Sequence, residues 1–112
     1  MNFYHSKTKY GNKKTEFKGE IYDSKKEANY ALQLELLKNA KDKNSKVISW
    51  ERQVPFLIVV NNIKICKYIA DFKVKYANGS EEIVDVKGVR TSTYILKKKL
   101  VEALYPVKII EI

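Results

Sequence analysis

The stretch from Tyr68 to Gly88 reads YIADFKVKYANGSEEIVDVKG. Alternate side chains of an extended strand point to opposite faces. Tyr68, Ala70, Phe72, Val74 and Tyr76 therefore form an apolar face, and Ile69, Asp71, Lys73 and Lys75 form the other. Further on, Glu82, Val84 and Val86 share one face, while Ile83, Asp85 and Lys87 share the opposite one. The pattern predicts two antiparallel strands and also selects the turn between them. A two-residue turn at Asn78-Gly79 would set Asp71 against Val86 and mismatch polar with apolar along the whole hairpin. A three-residue loop, Ala77-Asn78-Gly79, pairs Tyr76 with Ser80, Phe72 with Val84 and Asp71 with Asp85. That register matches both faces and puts Gly79 at the left-handed position such loops require.

Two carboxylates side by side repel unless a cation or a proton lies between them. A magnesium ion bridged by Asp71 and Asp85 would polarise a phosphodiester oxygen and lower the pKa of a bound water for in-line attack. Lys87, on the same face, would orient that water or stabilise charge developing on the phosphate. The plainer alternative is a solvated strand end on which Lys73 and Lys87 neutralise the aspartates. An acidic-x-Lys tripeptide alone decides nothing, because chance supplies about two in such a lysine-rich chain. Four occur here, ending at Lys18, Lys25, Lys73 and Lys87.

Outward from this hairpin, Val54 to Val60 is β-branched and aromatic and is joined to a strand from Ile63 to Tyr76 through Asn61-Asn62, which suits a tight turn. Ser24-Lys25-Lys26-Glu27 has the form of a capping box, and Ala28, Ala31, Leu34 and Leu37 follow at helical spacing, so a helix is expected over 24–40. Thr91-Ser92-Thr93 can cap a second helix carrying Ile95, Leu96, Leu100, Ala103 and Leu104 and ending before Pro106. Val107 to Ile112 closes the chain as a short strand. The expected class is α/β (α+β): helix, three antiparallel strands, helix, strand, as a mixed sheet flanked by two helices. Residues 1–22 read as a basic N-terminal arm and 23–112 as a single domain.

At 112 residues one core is expected. Lysine and arginine outnumber acidic residues 22 to 13, a net charge of +9 that points to an anionic partner. The longest apolar run, Phe56 to Val60, is too short to span a bilayer and the first residues lack a signal-peptide core, so a cytosolic protein without a membrane partner is expected. One cysteine, Cys66, and one histidine, His5, exclude an internal disulfide and a zinc site of the usual Cys/His type. A metal would be held by oxygen, which favours magnesium or manganese.

Taken in order, Tyr22 to Ala28, Trp50 to Phe56, Tyr68 to Phe72 and Val84 to Gly88 resemble the PD-(D/E)XK nuclease core, αβββαβ and restriction-endonuclease-like. Within it they resemble a family of small phage and prophage proteins often catalogued only as a domain of unknown function. Similar stretches occur in phage and transposon endonucleases, some of them junction resolvases. The resemblance implies Asp71 and Asp85 as metal ligands, Lys87 as the catalytic lysine, Glu27 as an additional acidic residue from the first helix, and Gln53 at the site's edge. The implied activity is magnesium- or manganese-dependent hydrolysis of DNA in the host bacterial cytoplasm, with Holliday junctions or other branched DNA as candidate substrates and a homodimer on a symmetric junction. Ala70 stands where the superfamily's name has proline, and Asp85 replaces the commoner glutamate. Glu27 has a second role open to it as the capping-box acid, and Gln53 that of a strand surface residue.

Lys9, Lys13 and Lys14 in the arm, Arg90, Thr91 and Thr93 before the last helix, and Lys97 and Lys98 at its start suit phosphate contacts. A solvated helix face is the alternative for the lysine run. No segment reads as a base-reading helix, so shape selectivity is favoured over sequence reading.

Overall fold

The computed structural model describes residues 14–86 and 89–112. Its elements are β1 (Thr15–Phe17), β2 (Glu20–Tyr22), α1 (Lys25–Leu37), β3 (Val47–Val60), β4 (Ile63–Tyr76), β5 (Glu81–Asp85), α2 (Ser92–Leu104) and β6 (Ile109–Glu111). Four strands form a mixed sheet in the order β3-β4-β5-β6, and β1 and β2 form a separate two-stranded sheet. The class is α+β as expected, with β6 parallel to β5 and the other neighbours antiparallel.

The deciding hairpin has the three-residue loop. Phe72 pairs with Val84, Lys73 with Ile83 and Val74 with Glu82, while Tyr76 N–H donates to the Ser80 carbonyl at 2.9 Å. Gly79 has φ +92°, and a Cβ there would meet nothing within 4 Å. Gly79→Ala therefore carries only the backbone cost of the left-handed region, about 1–2 kcal/mol. The urea midpoint should fall with no change in slope.

The turn between β3 and β4 also follows expectation, since Asn61 and Asn62 have φ of 50° and 65°, the pair of left-handed residues a type I′ turn needs. β3 is longer than the residues from Val54 suggested, because Val47 to Gln53 already pair with β4. Helix α1 is capped by Ser24, whose hydroxyl accepts from Glu27 N–H at 3.1 Å, and it ends at Leu37, short of the expected Ala40. Thr91 caps α2 in the same way.

Residues 15–22 depart from the expected arm. They form a hairpin turning at Lys18 (φ 52°) and Gly19 (φ 80°), with Tyr22 1% exposed and Phe17 packed beside it. The folded unit thus begins before residue 23.

Two cores hold the layers together. Tyr22, Ala28, Ala31, Leu34, Val47, Phe72, Val74 and Val84 form the α1 side. Ile58, Tyr68, Ala70, Ile83, Tyr94, Val101 and Ile109 form the α2 side. The even-numbered residues of β4 divide between them, Phe72 and Val74 in the first cluster and Tyr68 and Ala70 in the second. On β5 the successive Ile83 and Val84 divide in the same way, so the clusters lie on opposite faces there, and β4 passes from one to the other between Ala70 and Phe72. Asp71 lies at that seam.

Candidate active site

The β4–β5 ladder ends at Phe72 with Val84, and continued one step its register sets Asp71 opposite Asp85. Their carboxylates are interleaved with the backbone, since Asp71 N–H donates to Asp85 Oδ1 at 2.9 Å and Val86 N–H donates to Asp71 Oδ2 at 2.8 Å. Side-chain oxygens thereby continue the hydrogen bonding where the strand ladder stops. Asp85 is fully buried, whereas Asp71 is half-buried.

Glu27 approaches from α1 and is 4% exposed. Its carboxylate pairs with Arg52 Nη2 at 3.2 Å, while its backbone N–H serves the Ser24 cap, so capping and site membership coexist in one residue. Burial, followed by the negative charge of Asp71, pushes the Glu27 carboxyl up to about 7, with the Arg52 hydrogen bond opposing. Because the folded-state value lies above the ordinary 4.5, the folded state holds its proton more tightly, and stability falls as pH rises from about 4.5 to about 7. The penalty at pH 8 is on the order of 2–3 kcal/mol. Glu27→Gln should accordingly raise the thermal midpoint at pH 8 and leave it nearly unchanged at pH 4, as scanning calorimetry at both pH values would show.

Gln53 lies opposite Asp71, between the pairs Arg52 with Phe72 and Val54 with Ala70. It is exposed and has φ 55°. A left-handed non-glycine inside a strand is uncommon and costs of order 1–3 kcal/mol, strain that characteristically collects at functional sites.

Beyond the expected set, Glu111 of β6 pairs with Asp85, accepts from Tyr94 Oη at 2.6 Å and bridges to Arg90 Nε at 3.2 Å. Tyr94's hydrogen bond holds the Glu111 carboxyl below its ordinary range. Arg52 and Glu111 carried no sequence signal, because each reaches its place through pairing of distant segments.

The expected phosphate contacts are only partly gathered. Arg90 is paired with Glu111, Lys14 with Asp23 and Lys98 with Glu102. Lys97 donates to the Lys67 carbonyl at 3.1 Å. Thr91, Thr93 and Lys97 line a shallow groove with Lys67 and Tyr68. The lysine run sits mid-helix in α2. Surface pairs of this kind are worth about 0–1 kcal/mol. Lys9, Lys13 and the expected catalytic Lys87 lie outside the described residues.

Among the described residues no group of three or more His, Cys, Asp or Glu side chains is gathered for a metal. Two aspartates nonetheless fit magnesium or manganese, hard cations that keep several waters and need one or two carboxylates. Each carboxylate has about four lone-pair sites, so accepting a backbone N–H leaves room for a cation.

Among known proteins, a family model described as a protein of unknown function (DUF1064) matches residues 7–110. The chain belongs to that family. No curated protein matches it, and no solved structure does. The match spans β1 to β6, so the family's domain includes the N-terminal hairpin as well as the aspartate pair. Among the described residues no helix is long and apolar enough to cross a membrane.

Proposed function

We propose that this protein is a metal-dependent nuclease of the PD-(D/E)XK superfamily that hydrolyses phosphodiester bonds of DNA. The observation carrying this reading is the pairing of Asp71 with Asp85 on adjacent antiparallel strands, at the seam between two cores, in a chain of net charge +9. A magnesium or manganese ion bound there would supply Lewis acidity toward a phosphate oxygen. Asp71 and Asp85 would hold the cation, with the Val86 and Asp71 backbone amides fixing their orientation. Glu27, held by Arg52, would add a carboxyl from α1, and Lys87 would offer its ammonium to the charge that develops on the phosphate. The basic surface binds backbone phosphates irrespective of sequence, which predicts steep salt dependence and suits branched DNA engaged by a homodimer.

A second reading, a basic nucleic-acid-binding protein without catalysis, is favoured by one observation. Both aspartates already accept backbone N–H groups, which is a structural role in itself.

Incubating labelled linear, flapped and four-way-junction DNA with the protein in magnesium, manganese or EDTA separates the two. Cutting that EDTA abolishes is expected. Tight, salt-sensitive binding with every substrate intact would favour the non-catalytic reading.

A further inference from the structure

Arg52 sits where β2, α1 and β3 meet. Its Nη1 donates to Glu20 Oε1 at 2.8 Å and its Nη2 to Glu27 Oε1 at 3.2 Å. The guanidinium carbon lies 3.8 Å from the centroid of the Tyr22 ring. Side-chain exposure runs from 64% at Glu20 through 16% at Arg52 to 5% at Glu27, so the charge network leads inward from the surface. Tyr22, on which the guanidinium rests, belongs to the apolar cluster that also contains Ala28, the chain neighbour of Glu27. The next residue along β3 is Gln53, whose left-handed backbone faces Asp71.

A buried ion pair is a poor source of stability, because desolvation consumes most of the Coulombic gain. What an arginine supplies in such a place is orientation. Its planar fork can hold two carboxylates at fixed angles while one face rests on an aromatic ring, which a lysine cannot reproduce. Burial of the Arg52 Nε with no hydrogen-bond partner among the described residues has the same sense, since the guanidinium is set by its two outer nitrogens.

We propose that Arg52 is a positioning residue of the aspartate site, fixing the Glu27 carboxylate one residue along β3 from Gln53, which lies opposite Asp71, and coupling it to the β1–β2 hairpin through Glu20. This rests on the nuclease reading above. The Tyr22 ring stacks under the guanidinium and stops it from swinging toward solvent, so Glu27 keeps one orientation when substrate arrives. Removing Arg52 should act only through Glu27, which makes the two substitutions non-additive.

The test is a double-substitution cycle on whichever DNA the wild type cuts, at saturating enzyme in magnesium so that slow variants are still read. Arg52→Met, which keeps the chain length over Tyr22, should lower the single-turnover rate about tenfold or more with half-saturation unchanged within about twofold. In a Glu27→Gln background the same substitution should change the rate by less than about threefold. An equal loss in both backgrounds, or a loss confined to half-saturation or to the thermal midpoint, overturns the proposal. Should Arg52→Met fail to fold, Glu20→Gln at its exposed position carries the test, with a rate fall of about two- to fivefold expected only while Glu27 is present. No metal-dependent cutting by the wild type would instead remove the nuclease reading and this proposal with it.

Discussion

Asp85→Ala should abolish metal-dependent cleavage, lowering the rate by at least about a hundredfold to a thousandfold, the scale on which electrostatic stabilisation of a reacting phosphate is lost. Asp85 is fully buried and stands next to Asp71 across the β4–β5 hairpin. Alanine removes one of the two proposed oxygen ligands and leaves Asp71 alone on the neighbouring strand. The structural consequences partly cancel. The Asp71 N–H loses its acceptor, at about 1–3 kcal/mol, while a buried like charge beside Asp71 disappears. The variant should fold and bind DNA within about threefold of the wild type, since the basic surface is untouched. Asp85→Asn, which preserves the acceptor, should be equally inactive and more stable than the alanine variant. Gel assays of cleavage and of DNA binding in EDTA read both properties.

Phe72→Ala should be the most destabilising single truncation. Phe72 is fully buried, and its ring lies 5.0 Å from that of Tyr30, 5.8 Å from Trp50 and 6.5 Å from Tyr22. One side chain thus joins α1, β3, β4 and the N-terminal hairpin. Truncating such a residue costs about 3–5 kcal/mol, against a total of about 5–15 kcal/mol for an ordinary domain. Urea unfolding should show the midpoint collapsing toward zero denaturant. A shift below about 1 kcal/mol would mean that the aromatic cluster is not the keystone of the α1 side. Phe72 also follows Asp71 directly in β4 and pairs with Val84, the residue before Asp85, so the variant should lose activity along with stability.

The β4–β5 hairpin was legible because period-two alternation is a local signal, and only one loop length satisfies it on both faces. The capping residues Ser24 and Thr91 were legible for the same reason, since a hydroxyl three residues before its donor is written in the chain itself. The β1–β2 hairpin was not. Its strands of three residues each contain a single alternation, and Lys18-Gly19 lacks the asparagine or aspartate that usually marks a type I′ turn. The lysines around it also drew attention to charge and away from Phe17 and Tyr22. The site divides along the same line. Asp71 and Asp85 followed from strand pairing, whereas Arg52 beside Glu27 and Glu111 beside Asp85 depend on which distant segments become neighbours. Arg90 and Lys98 read as free cations in the sequence, yet in the fold each has an acidic partner. Gln53's left-handed backbone is imposed by the sheet opposite Asp71 and leaves no trace in residue type.

The nuclease proposal requires Asp71 and Asp85 together to hold a divalent cation. Titrating manganese into the wild type, Asp71→Asn and Asp85→Asn, followed by electron paramagnetic resonance of the free ion, tests that directly. Saturable binding by the wild type, weakened at least about tenfold in each variant, is the result predicted. Equal manganese uptake by all three proteins, or none by any of them, would contradict it.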